Sequence, residues 1–157
     1  MIYTARPVEL EDWPAIQKVW EEFSQSKQAR GKVDGSLPSL KNLFLLSLTN
    51  PMVKVFGLFQ LITGVCGSVA ICQEVQQMTP SEDGLRMVLE NNTFIRALFG
   101  LNGIPREEMK KLDEVMVSWG KSRAHKVISG NCRLNFPTRA AKFYGYEPMH
   151  LIMGKRI

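Results

Sequence analysis

Asn135-Phe136-Pro137-Thr138-Arg139-Ala140-Ala141-Lys142-Phe143-Tyr144-Gly145-Tyr146 reads as a short helix with a defined stop. Pro137 suits a first helical turn, where the missing amide costs nothing. Gly145 suits the left-handed residue that ends a helix. The helix is expected over Pro137 to Tyr144, with a strand from Pro148 to Met153 after it and another from Lys126 to Cys132 before it. This part of the chain therefore reads strand, helix, strand.

Upstream, Pro105, Arg106, Glu107 and Glu108 open a longer helix, in which Met109, Leu112, Met116 and Trp119 recur at three- and four-residue steps along one face. Thr93 to Phe99 precedes it as a strand. Thr79-Pro80-Ser81-Glu82 has the spacing of a capping box with proline at the first helical position, which predicts a short helix over Pro80 to Glu90. Met52 to about Glu74 carries glycines at 57, 64 and 67 and several β-branched residues, and reads as a buried hairpin. At the other end, Ile2 to Arg6 alternates as a strand until Pro7. Glu9 and Asp12 then stand three apart before Trp13, Ile16, Trp20 and Phe23, which share one helix face. Lys27 to Pro38 is a polar loop. A second helix follows through Leu40, Leu43, Phe44 and Leu46 to about Leu48, closed by Asn50-Pro51.

This order, β-α-α-β-β-(α)-β-α-β-α-β, resembles that of the GNAT superfamily of N-acetyltransferases. The segment from Asn135 through Ala140-Ala141 and an aromatic to Gly145-Tyr146 resembles the closing signature of that family. The resemblance covers nearly the whole chain. It implies one α/β (α+β) domain over 1–157, with a mixed, mostly antiparallel sheet of about six strands flanked by helices.

The resemblance also implies where a cofactor would sit. GNAT enzymes follow the fourth strand with a turn of the form Gln/Arg-x-x-Gly-x-Gly/Ala, whose backbone amides and helix start hold the CoA pyrophosphate. Here the segment is Gly100-Leu101-Asn102-Gly103-Ile104-Pro105, and only the central glycine matches. Pro105 removes an amide donor. Glu107 and Glu108 stand in the first turn, where each would repel a phosphate by about 1 kcal/mol at 4 Å in water. If CoA binds, the expected contacts are Leu98, Phe99, Gly100, Gly103, Arg106, Asn135 and Arg139. The family tyrosine that protonates the leaving thiolate lies four residues before the glycine equivalent to Gly145, where this chain has Ala141. Tyr144, three residues on, is the nearest substitute. A general base is missing from Thr93 to Phe99, whose one charged residue is Arg96.

Formal net charge is +5, unevenly placed. Beyond Glu114 there are eight basic residues (Lys121, Arg123, Lys126, Arg133, Arg139, Lys142, Lys155 and Arg156) against Glu147 alone, while residues 1–114 carry −2. An acidic protein surface or nucleic acid is the partner such a C-terminal third suggests, and complementing a helix C-terminus is the competing explanation. The three cysteines, Cys66, Cys72 and Cys132, lack metal-ligand spacing and suit a reducing compartment. Cys66 and Cys72, an even number apart, are expected on one face of a strand. His125 and His150 have no neighbouring ligand in sequence, so no metal site is expected. No membrane span is expected in Met52 to Cys72, and there is no basic, then apolar, leader. A cytoplasmic location is expected, or a virion if the chain is phage-encoded.

Two functions remain open at this point. Short GNAT-like chains with eroded acyl-CoA motifs, as tailed phages encode, are similar, which implies a non-catalytic pseudoenzyme without cofactor. Such a protein would serve as a binding or structural component with protein partners in a virion or assembly. The alternative is an active acetyl-CoA-dependent N-acetyltransferase with divergent cofactor binding.

Overall fold

The computed structural model describes residues 2–26, 37–130, 143–146 and 155. Five strands form one sheet in the order β1-β2-β3-β4-β5, antiparallel except for the parallel β4–β5 pair. The strands are β1 (Tyr3–Pro7), β2 (Val53–Gln60), β3 (Cys66–Pro80), β4 (Met87–Gly100) and β5 (Ile128–Gly130). Three helices flank them: α1 (Trp13–Gln25), α2 (Leu37–Ser47) and α3 (Arg106–Ser122).

The two faces of the sheet carry separate cores. On one, Ile16 and Val19 of α1 and Leu40 and Phe44 of α2 pack on Val55, Phe59, Val69, Ile71 and Phe99. On the other, Leu112 and Met116 of α3 pack on Phe56, Ala70 and Cys72. The expected heptad-like face of α3 is thus the buried one. The chain enters α1 through a turn at Leu10–Asp12 in which Glu9 and Asp12 cap each other's ends reciprocally. Asp12 also accepts from Arg6 at 2.7 and 3.0 Å, tying that turn to β1. β1 is the exposed edge of the sheet, and it is blunted as edge strands need to be. Lys111 Nζ donates to the Tyr3 carbonyl at 2.9 Å, and Glu108 accepts the Tyr3 amide at 3.2 Å.

Two expectations change, and a third is met in part. First, Pro80 to Glu90 is not a helix: β3 and β4 pair continuously from Ser68↔Gly100 to Pro80↔Met87, and Ser81 to Arg86 make the turn. The Thr79 hydroxyl, which would have capped a helix, instead donates across the ladder to Glu90 at 3.4 Å, and Gly84 takes a left-handed φ of 70° in the turn. Cross-strand pairing of two long β segments outweighs one local cap. Second, Cys66 and Cys72 face opposite cores. Leu58 pairs with Ser68 but Phe59 pairs with Cys66, so Gly67 is an extra residue that inverts the alternation between the two cysteines. Third, the described residues hold five of the about six strands expected. The fifth is described only over Ile128–Gly130, and the expected sixth, Pro148 to Met153, falls outside the described residues, as does most of the Pro137 to Tyr144 helix. Gly145 does take the left-handed conformation expected of a cap, at φ 79°.

Candidate functional site

β4 carries a second irregularity, and it shapes the site. Ile71 pairs with Ala97 while Cys72 pairs with Ile95, which leaves Arg96 as a bulge. Among the described residues β5 pairs with β4 at Thr93, Phe94 and Ile95. From Ala97 to Gly100 the outer edge of β4 has no β5 partner among the described residues. Beyond that edge lies a cleft of about 300 Å³ lined by Phe23, Ser68, Leu98 to Ile104 and Met109. Its walls are apolar at Phe23, Leu98, Phe99, Ile104 and Met109. Its far end is backbone.

That backbone end follows from close approach of β3 and β4. A Cβ on Gly100 would lie 2.8 Å from both the Gly67 carbonyl and Ser68 Oγ, so glycine is required there by packing rather than by a ligand. The Leu101 amide continues the ladder to the Gly67 carbonyl at 2.8 Å. Gly103 then turns with φ 83°, and nothing lies within 4 Å of where its Cβ would be. Among the described residues the amides of Asn102 and Gly103 have no acceptor, and Arg106 and Glu107 carry the unpaired N–H groups that begin every helix. Successive free amides at a turn and a helix start make an anion-binding end even with Pro105 in the run.

The two acids of the first helical turn do not act alike. Glu108 is directed onto β1, accepting from the Tyr3 amide and from Lys111 Nζ at 2.7 Å. The Lys111 ammonium, ahead of the Tyr3 amide, holds its carboxyl below the ordinary range. Only Glu107 is left exposed at the helix start, with Arg106 beside it. The expected pair of repulsive charges is thus reduced to one.

Of the residues expected to contact a cofactor, Leu98, Phe99, Gly100 and Gly103 line the cleft. Arg106 lies just beyond it, with its guanidinium 5.7 Å from the Phe143 ring. Tyr144 is half-buried near Arg106, Asp113 and Glu107; burial chiefly raises its pKa, so the phenol stays protonated at neutral pH. It is not among the residues lining the cleft. Asn135 and Arg139 lie outside the described residues. Tyr146 explains part of the closing signature: its hydroxyl donates to Asp113 Oδ1 at 2.7 Å, anchoring Gly145-Tyr146 to α3. Burial raises the Asp113 carboxyl, and burial and then Asp113 raise the Tyr146 phenol.

Sequence reading missed Phe23, Ser68 and Met109, which reach the cleft from other elements. Ser68 faces Gly100 across 32 positions of chain, and only the register reveals it. It also missed a buried polar chain at the other end of α3. His125 Nε2 meets Glu74 Oε1 at 2.6 Å and Nδ1 meets Thr93 Oγ1 at 2.8 Å, while Arg123 donates to Glu74 at 3.0 and 3.3 Å. Thr93 is sealed beneath Gly120, where a Cβ would sit 2.8 Å from its hydroxyl, so the chain fastens α3 to β3 and β4 and reaches no substrate. A hollow nearby, between Glu90, Asn91, Arg123, Ala124 and Lys126, is bordered by cations already committed to Glu74 and Glu90. No group of three metal-ligating side chains occurs among the described residues, and none of their helices is long and apolar enough to cross a membrane.

No known family profile matches the chain, and no curated protein matches it. Solved structures do. The chain is similar to aminoglycoside 6'-N-acetyltransferase AAC(6')-Iy, solved with a CoA-linked bisubstrate analogue, at TM-score 0.76 and 11% identity over 100% of this chain and 99% of that one. It is similar to AAC(6')-Ih of Acinetobacter baumannii at TM-score 0.72 and 11% identity over 99% and 98%. It is also similar to glucosamine-6-phosphate N-acetyltransferase of Arabidopsis thaliana at TM-score 0.69 and 11% identity over 99% and 99%. The chain has the GNAT fold, with a mostly antiparallel sheet flanked by helices.

Proposed function

We propose that the cleft binds an acyl-CoA and that the protein transfers the acyl group to an amine. One observation carries this reading: the outer edge of β4, without a partner among the described residues from Ala97 on, borders a cleft of mixed polar and apolar lining that ends at the Asn102 and Gly103 amides, which have no acceptor among those residues. An amphipathic ligand with an anionic end fits that sequence of surfaces. The orientation of Glu108 supports it, because the acid that would most oppose a pyrophosphate is neutralised on β1. The similar acetyltransferase structures are consistent with it.

In the reaction the amine nitrogen attacks the thioester carbonyl carbon and the C–S bond breaks. The proton that the nitrogen loses ends on the departing thiol. The apolar side chains Phe23, Leu98, Phe99, Ile104 and Met109 flank the ligand, and the amides hold the phosphates. Tyr144, whose phenol burial keeps protonated at neutral pH, is the residue proposed to donate that proton. Ligand-linked stability tests the reading. Acetyl-CoA at one hundred times its Kd should stabilise the fold by about 2.7 kcal/mol, and the transition temperature should keep rising with concentration. A transition unmoved at millimolar acetyl-CoA sinks it.

A specific observation favours a second reading, in which the fold binds without catalysing. Among the described residues no carboxylate or imidazole lines the cleft, and Pro105 removes one amide. Binding without release of CoA thiol in the presence of amines would select this reading.

A further inference from the structure

Arg96 is exposed at the bulge of β4, two residues before Leu98, where the lining of the cleft begins on that strand. A β-bulge bends its strand and re-aims the extra residue, and here the extra residue is the arginine. A ligand whose anionic end sits at Asn102 and Gly103, and whose chain follows the edge of β4 that has no partner among the described residues, reaches the bulge after roughly 20 Å at about 3.3 Å per residue. There the edge closes, because β5 pairs with Ile95.

The arginine is held on the side of the sheet that carries α1 and α2. Its Nη1 donates to Gln73 Oε1 at 2.7 Å. Gln73 pairs with Val53 and Phe94, and it lies two residues from Ile71, which belongs to the α1–α2 core. Its partner among the described residues is a neutral amide, which does not cancel the charge. Arg6 and Arg123, by contrast, are each committed to a carboxylate. Among the described residues no acid pairs with Arg96, and a guanidinium has five donors of which one is used. A tethered, planar, uncancelled fork matches a carboxylate or phosphate in two-pronged geometry, as a lysine ammonium would not.

We infer that Arg96 determines acceptor specificity, selecting amines that carry an anionic group, a carboxylate or a phosphate. The inference rests on the acyl-CoA reading of the same cleft. Arg96 takes no part in bond making; it holds the acceptor's anionic end and acts through KM.

The test pairs acceptors that differ only in charge: glycylglycine against glycylglycinamide, and O-phosphoethanolamine against ethanolamine. CoA thiol release from acetyl-CoA is followed for the natural protein, Arg96→Gln and Arg96→Lys, with acetyl-CoA affinity measured by calorimetry. The natural protein should favour the anionic member of at least one pair tenfold or more in kcat/KM, chiefly through KM. The pair with the larger ratio tells carboxylate from phosphate. Arg96→Gln should bring the ratio below twofold, Arg96→Lys should keep part of it, and acetyl-CoA affinity should stay within twofold. Equal use of charged and neutral acceptors, or a preference that survives Arg96→Gln, overturns the inference while leaving acyl-CoA binding intact. Should acetyl-CoA give neither heat nor turnover, the cofactor reading fails, and NMR of the Arg96 Nε–H decides the anion site separately. A shift that saturates with glycylglycine or O-phosphoethanolamine, and not with their neutral partners, supports the site. No shift with either anion overturns it.

Discussion

Replacing Glu74 with alanine removes the one carboxylate that Arg123 and His125 share. The His125 side chain is only 1% exposed, so its Nε2 would lose its partner without gaining water. An unsatisfied buried polar group costs about 1–3 kcal/mol. The Arg123 side chain is 29% exposed and can turn to solvent, so its share is under about 1 kcal/mol. The sum is a loss of about 1–4 kcal/mol, or a fall in Tm of roughly 2–16 °C for a chain of this size. Urea unfolding followed by far-UV circular dichroism at pH 7 measures it. The cycle of Glu74→Ala with His125→Ala should give a coupling of at least about 1 kcal/mol. The pH dependence has a definite sign. Hydrogen bonds from Arg123 and then His125 hold the Glu74 carboxyl below its ordinary 4.5. Its contribution is therefore complete above pH 4.5 and lost as pH falls through the lower folded value. The gap between natural protein and variant should stay level from pH 6 upward, and close on acidification in that window. A loss under about 0.5 kcal/mol with no coupling would refute the view that this chain fastens α3 to the sheet.

Three further outcomes follow from the geometry. Gly100→Ala places a Cβ 2.8 Å from a carbonyl that cannot move away, and should destabilise by about 1–3 kcal/mol in urea unfolding. Glu107→Gln should strengthen acetyl-CoA binding severalfold at low salt, with the gain fading as salt rises, whereas Glu108→Gln should leave affinity within twofold and slightly lower stability; titration calorimetry separates them. Burial pushes the thiols of Cys66 and Cys72 up to about 12, so peptide mapping after brief alkylation at pH 8 should find both unlabelled in the native protein and labelled once it is unfolded.

What the sequence could show was local. The Glu9–Asp12 cap, the Met109-Leu112-Met116 stripe of α3 and the Gly145 stop are spelled out within a few residues, and each stands as read. The misreadings arose where a distant partner decides. Thr79 to Glu82 has a helix-start pattern, yet Met78 pairs with Leu89 and Thr79 with Val88, and the ladder wins. The two cysteines changed faces because Gly67 is extra only relative to β2. In the candidate site, the loss of the GNAT glycine pattern was legible, but its consequence was not. Whether Glu108 opposes a phosphate depends on Tyr3 and Lys111, and the openness of the β4 edge depends on how far β5 pairs.

Calorimetric titration of acetyl-CoA into the natural protein, run beside Arg106→Glu, tests the central claim most directly. Arg106 is the cation at the start of α3 beside the free amides, and reversing it places a second uncompensated acid next to Glu107. The account predicts saturable one-to-one binding that weakens at least tenfold in the variant. Absence of binding heat at millimolar acetyl-CoA across two temperatures, or equal affinity in both proteins, would contradict it.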